Sequence, residues 1–70
     1  MLNTTQRTQL RDARTKAGLS IRAAAELVGI DKMTWQRTEA GTRAGDVDTV
    51  SRMAAVVGLD LQIRLVRRRP

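Results

Sequence analysis

Residues 18–41 read GLSIRAAAELVGIDKMTWQRTEAG, and this stretch decides the fold. Ser20 and Asp31 are residue types that cap helix N-termini, because their side-chain oxygens accept hydrogen bonds from free backbone N–H groups. Gly29 and Gly41 suit the left-handed backbone on which helices often end. The pattern therefore predicts two short helices joined by a very short turn. They run over Ile21 to Val28 and from Asp31 to about Ala40.

Amphipathic helices are predicted on both sides of this pair. From Thr5 to Ala17 the chain carries good helix formers with side chains three or four apart on one stripe, and Gly18 follows as a stop. A last helix has Asp46 as its N-cap and Gly58 as its stop. Its apolar residues at helical spacing are Val47, Val50, Ala54 and Val57.

The hydrophobic period changes after the last helix. The apolar residues Leu61, Ile63 and Leu65 alternate with polar ones, which is the two-residue period of a half-buried strand. One strand leaves its backbone donors and acceptors unpaired, and the same strand of a second copy is the nearest candidate to pair with them. We therefore expect a mainly α fold of four helices, followed by a β-strand that pairs across a dimer. The expected units are a domain over 1–58, a dimerisation strand over 59–66 and a basic disordered tail over 67–70.

The chain is strongly basic. It has 13 Lys and Arg against 7 Asp and Glu, a formal charge of +6 and a pI of about 11.6. Most of the basic residues are Arg, whose planar fork of donors fits phosphate groups and guanine edges. This balance predicts a polyanionic partner such as nucleic acid.

The composition also disfavours several classes of function. With no Cys and no His, the chain lacks thiolate and imidazole as nucleophiles, bases or zinc ligands. It has neither a Gly-rich phosphate loop nor a paired carboxylate motif, so we expect no enzyme, no metal and no cofactor. Neither a signal peptide nor an apolar run of about 18 residues is present. We expect a cytoplasmic protein, associated with the nucleoid through DNA, with no membrane partner.

Several short elements stand in register along the chain. They are Arg14, Gly18-Leu19-Ser20, Ala25, Gly29-Ile30, Thr34-Trp35-Gln36-Arg37, Glu39-Ala40-Gly41 and the helix end from Ala54 to Gly58. Together they resemble the Cro and lambda-repressor family of helix-turn-helix proteins, also called XRE-like, over roughly Leu10 to Gly58. The resemblance implies that the second and third helices cross most closely at Ala25, where a larger side chain would hold them apart.

The resemblance also implies which residues bind DNA. The helix that begins near Asp31 would enter the major groove, with Trp35 turned into the core and the opposite face turned to the bases. The expected base contacts are Lys32, Met33, Gln36 and Arg37. The expected phosphate contacts are Ser20, Arg22, Thr34, Thr42 and Arg43. Arg14 and Glu39 are expected to form a structural ion pair between the first and third helices.

Two functions remain open at this level. One is a sequence-specific repressor that binds a palindromic operator in double-stranded DNA as a homodimer. The other is an antitoxin resembling the HipB type, which binds a toxin protein and represses its own operon; this reading rests on the strand from Leu61 to Val66. A basic membrane-surface peptide is disfavoured, because the basic residues are spread over the whole chain rather than along one helix.

Overall fold

The computed structural model describes residues 2–42 and 46–61, and these ranges contain four α-helices. Their bounds are α1 Thr4–Lys16, α2 Ile21–Val28, α3 Lys32–Ala40 and α4 Val47–Val56. The predicted four-helix order is confirmed. In the part of the chain that the structure describes, no helix is long and apolar enough to cross a membrane.

The first helix begins one residue earlier than predicted. Asn3 and Gln6 form a capping box, in which the Gln6 backbone N–H donates to Asn3 Oδ1 at 2.8 Å and the Asn3 N–H donates to Gln6 Oε1 at 3.0 Å. Two free N–H groups of the helix end are satisfied in this way. The helix ends at Lys16, with Ala17 as its C-cap, rather than at Ala17.

The other three helices have the predicted N-caps. Ser20, Asp31 and Asp46 each accept a hydrogen bond from the backbone N–H three residues on, at 2.7 to 3.0 Å. Gly29 and Gly41 end α2 and α3 with φ of 83° and 77°, a conformation that disfavours any side chain. The turn between α2 and α3 is therefore fixed by Gly29 on one side and the Asp31 cap on the other.

The core lies between α2 and its neighbours. α2 packs against α3 and α4, and α3 also packs against α1. Trp35 and Met53 are the largest fully buried side chains. Ala24 and Ala25 are buried with them, so that small residues on α2 face a large one on α3. The main cluster of buried residues is Leu10, Ala24, Ala25, Val28, Trp35, Met53 and Val57.

The structure covers only the start of the predicted C-terminal strand. The backbone N–H of Leu59 donates to the Ala54 carbonyl at 2.8 Å, and its side chain packs against the core. Leu61 is half-buried. Ile63 and Leu65, with the rest of the predicted strand and the tail over 67–70, lie outside the described residues.

Candidate nucleic-acid interface

The third helix has two faces of opposite character. Because each residue of an α-helix advances by about 100°, residues 32, 33, 36 and 37 fall within an arc of about 140°. All four are exposed. Trp35 and Thr38, on the opposite side, are buried at 0% and 3% exposure. The structure thus places the four residues expected to contact bases on one open surface, the exposed face of α3.

The chemistry of this exposed face is varied. Lys32 and Arg37 carry cationic donors, which match the O6 and N7 acceptors of guanine in the major groove. Gln36 carries a donor and an acceptor on one amide, the pair needed for adenine N6 and N7. Met33, which is 49% exposed, offers an apolar surface suited to a thymine methyl group. Such a face can distinguish base pairs as well as bind phosphates.

The N-terminus of α2 offers a second set of donors. Ser20 and Arg22 are both exposed there. The Ser20 Oγ accepts from the Ala23 N–H at 3.0 Å, and this use of a lone pair leaves the hydroxyl hydrogen able to donate. A helix N-terminus favours anions through its free N–H groups and its dipole. This end of α2 therefore has the chemistry of a phosphate contact.

Two further expected phosphate contacts, Thr34 and Thr42, lie close to the two ends of α3. Thr34 is half-buried in the first turn, where its carbonyl accepts from the Thr38 hydroxyl at 2.8 Å. Thr42 is exposed directly after the helix stop at Gly41, and its backbone N–H donates to the Arg37 carbonyl at 3.0 Å. Arg43 lies outside the described residues.

Glu39 connects α3 to the rest of the domain. Arg14 donates to it through Nε at 2.7 Å and through Nη2 at 3.2 Å, and the two side chains are only 13% and 8% exposed. The remaining Arg14 nitrogen, Nη1, donates to the Leu19 carbonyl at 2.8 Å. Trp35 Nε1 also donates to Glu39. The Glu39 carboxylate thus joins Arg14 of α1 to Trp35 of α3, and Arg14 extends the connection to the α1–α2 junction.

Arg7 is a residue of this region that the sequence reasoning missed. Its Nη1 donates to the carbonyl of Ala40, the last residue of α3, at 2.8 Å. Arg7 and Arg14 are seven residues apart, which is about two helical turns and places them on one side of α1. That spacing is the signal that could have drawn attention to Arg7, once Arg14 was assigned to the end of α3.

Comparison with known proteins adds one match. A family model described as a helix-turn-helix domain matches residues 7–66 of the chain. The matched range begins at Arg7 and includes all of α2, α3 and α4. Neither the curated proteins nor the solved structures gave a match.

Proposed function

Because the chain belongs to the helix-turn-helix domain family, we propose that it is a transcriptional repressor that reads the major groove of DNA with the exposed face of α3. The family supports DNA as the partner. The observation that carries the finer proposal is the separation of the two faces of α3. Residues 32, 33, 36 and 37 are exposed and can meet base edges, while Trp35 and Glu39, which lie outside that arc, hold the helix against the domain.

A two-fold dimer on a palindromic operator is part of the proposal. One short recognition helix reads only a few base pairs, and repressors of this motif gain affinity and specificity by placing two such helices about one turn of DNA apart. The alternating apolar residues Leu61, Ile63 and Leu65 support a strand that joins two copies. The charge of +6 also supports DNA binding, because contacts between basic residues and phosphates contribute a large part of the affinity of DNA-binding proteins.

An antitoxin is the second candidate function. It would use the same DNA-binding face and would add a toxin protein as a partner. The apolar alternation from Leu61 to Val66 favours it, because such a strand can pair with another chain as well as with its own copy. Co-purification of an untagged partner from the native host would support this candidate. A chain that purifies with DNA alone would favour the plain repressor.

The test of the repressor is selection of bound oligonucleotides at physiological salt, followed by two matched substitutions. Arg37→Ala should cost about 1–3 kcal/mol on the selected site and relax the preference at one base pair. Arg22→Ala, at the α2 N-terminus, should weaken binding to all sequences alike and lower the slope of log K against log salt by about 0.9. An unchanged base preference in Arg37→Ala would show that Arg37 is not one of the residues that contact bases. A selection that enriches no sequence would overturn the proposal.

A further inference from the structure

We infer that Arg7 is a positioning residue for DNA recognition, which holds the C-terminal end of α3 in place without touching DNA. The inference rests on the proposed function, since it concerns the helix that would read the bases. Its own evidence is the set of contacts that Arg7 makes, and these can be tested with or without DNA.

The guanidinium of Arg7 caps α3 from another helix. The last carbonyls of an α-helix have no partner within the helix, and a cation near them is favoured by the helix dipole. Arg7 Nη1 donates to the Ala40 carbonyl at 2.8 Å across 33 residues of sequence. Its Nη2 donates to Thr4 Oγ1 at 3.1 Å, which anchors the guanidinium to α1. Arg7 therefore links the start of α1 to the end of α3.

The guanidinium also lies directly against Gly41. A Cβ built on Gly41 would stand 2.6 Å from the Arg7 Cζ and closer still to Nη1, far inside any real contact. The φ of 77° at Gly41 favours glycine, and its missing side chain leaves the space that the Arg7 guanidinium occupies. Among the described residues, Arg7 Nε is a buried donor with no hydrogen-bond partner. Arg7 as a whole is half-buried, and its two terminal nitrogens are already engaged by Ala40 and Thr4, which favours a role in supporting the backbone over a phosphate contact.

Two arginines of α1 together fix the last residues of α3. Arg14 holds the Glu39 side chain, and Arg7 holds the carbonyl of the next residue and packs on the one after it. Arg37 lies in the same last turn, and its carbonyl accepts from the Thr42 N–H at 3.0 Å. Loosening of this end would displace Arg37 and Thr42 more than Lys32, which lies at the capped N-terminal end.

The experiment compares Arg7→Met with Arg11→Met on the full chain. Both remove one positive charge from α1, but the Arg11 side chain is 60% exposed and makes only a 3.8 Å ion pair with its neighbour Asp12. Arg7→Met keeps the aliphatic packing and loses the donors. We expect it to weaken binding to the selected site about tenfold, the equivalent of about one hydrogen bond to a charged group, at an unchanged salt slope. Arg11→Met should bind within about twofold of wild type, as expected for an exposed charge.

Amide hydrogen exchange on the DNA-free protein gives the second measurement. Exchange at the Gly41 and Thr42 amides should be faster in Arg7→Met and unchanged in Arg11→Met. Arg7→Lys keeps the positive charge but lacks the planar guanidinium with its several donors, so it should restore little of the protection. A salt slope lowered by about 0.9 in Arg7→Met would overturn the inference and make Arg7 a phosphate contact. Unchanged exchange in Arg7→Met would also overturn it. Because exchange is measured without DNA, it tests the contact between Arg7 and the end of α3 even if the oligonucleotide selection enriches no sequence.

Discussion

Glu39 shows how much of this domain depends on single side chains. Its carboxylate is almost fully buried and accepts from both Arg14 and Trp35. A buried carboxylate is stable only when it is paired and hydrogen-bonded, and here both conditions are met. Trp35 thus has two roles, since its ring fills the core and its Nε1 supplies a donor that an aliphatic residue lacks.

The Arg14–Glu39 pair gives a prediction at the residue scale. Arg14→Met should lower the free energy of unfolding by about 3–5 kcal/mol, because it leaves a mostly buried carboxylate without its cation. Adding Glu39→Met should recover much of that loss, since the charge left behind is also removed. Denaturant unfolding can be followed by fluorescence, because Trp35 is the only Trp and the chain has no Tyr. Additive losses in the double variant would show that the two residues are not coupled.

The sequence predicted some of these residues and not others for a physical reason. Resemblance to a motif paired Arg14 with Glu39, and the same resemblance turned Trp35 into the core, opposite the exposed face of α3. The Trp35 hydrogen bond depends on the ring orientation, which spacing does not specify. The contact from Arg7 to Ala40 depends on how the chain folds back over 33 residues. The seven-residue spacing from Arg14 indicates on which side of α1 Arg7 lies, but it does not give the partner of Arg7.

At the scale of elements, local chemistry sets where the short helices end, and packing stabilises them. α2 and α3 have 8 and 9 residues, and isolated helices of that length are marginal in water. Their ends were predictable, because Ser20, Asp31 and the glycines act through neighbouring backbone groups. Their existence depends on burying Ala25 and Trp35 together. The early start of α1 was also readable in principle, since Asn3 and Gln6 have the spacing of a capping box.

The N-cap of α4 gives a prediction about pH. The Thr49 backbone N–H and hydroxyl donate to the Asp46 carboxylate at 2.7 and 3.1 Å, and these hydrogen bonds hold the pKa of Asp46 below its usual value. A carboxyl whose pKa is lowered on folding adds stability above its unfolded value of about 3.9, and that stability is lost as the pH falls through the folded value. Asp46 should therefore contribute to acid unfolding.

Asp46→Asn isolates this contribution, because the amide oxygen can still cap the helix but does not titrate. Melting temperatures of both proteins should be measured from pH 6 to below the unfolded pKa of about 3.9. As the pH falls below about 4, the melting temperature of the wild type should decrease more than that of Asp46→Asn. Parallel curves would mean that the Asp46 carboxylate does not contribute to the pH dependence of stability.

At the scale of the whole molecule, the described residues that follow α4, up to Leu61, lie on one surface with the helices. Leu10 of α1, Val50 and Ala54 of α4, and the residues Leu59 and Leu61 line an open groove between the two helices. The described C-terminal range therefore ends beside the core, with an apolar residue already in the groove. A strand that follows from Leu61 would start in contact with the domain, which a two-stranded ribbon needs because it is marginal alone.

Truncation tests whether that strand makes the dimer. A chain that ends at Leu61 is a better choice than one that ends at Gly58, because Leu59 closes α4 and packs on the core. We expect the full chain to sediment as a dimer, the chain ending at Leu61 to be a monomer with the same helix content, and its affinity for a palindromic operator to fall steeply as the second recognition helix is lost. A chain ending at Val66 is the matched control, since it loses only residues 67–70, and it should stay dimeric. If the chain ending at Leu61 also sediments as a dimer, the contact between copies lies on the helices, and the exposed Leu27 and Val47 become the first residues to test.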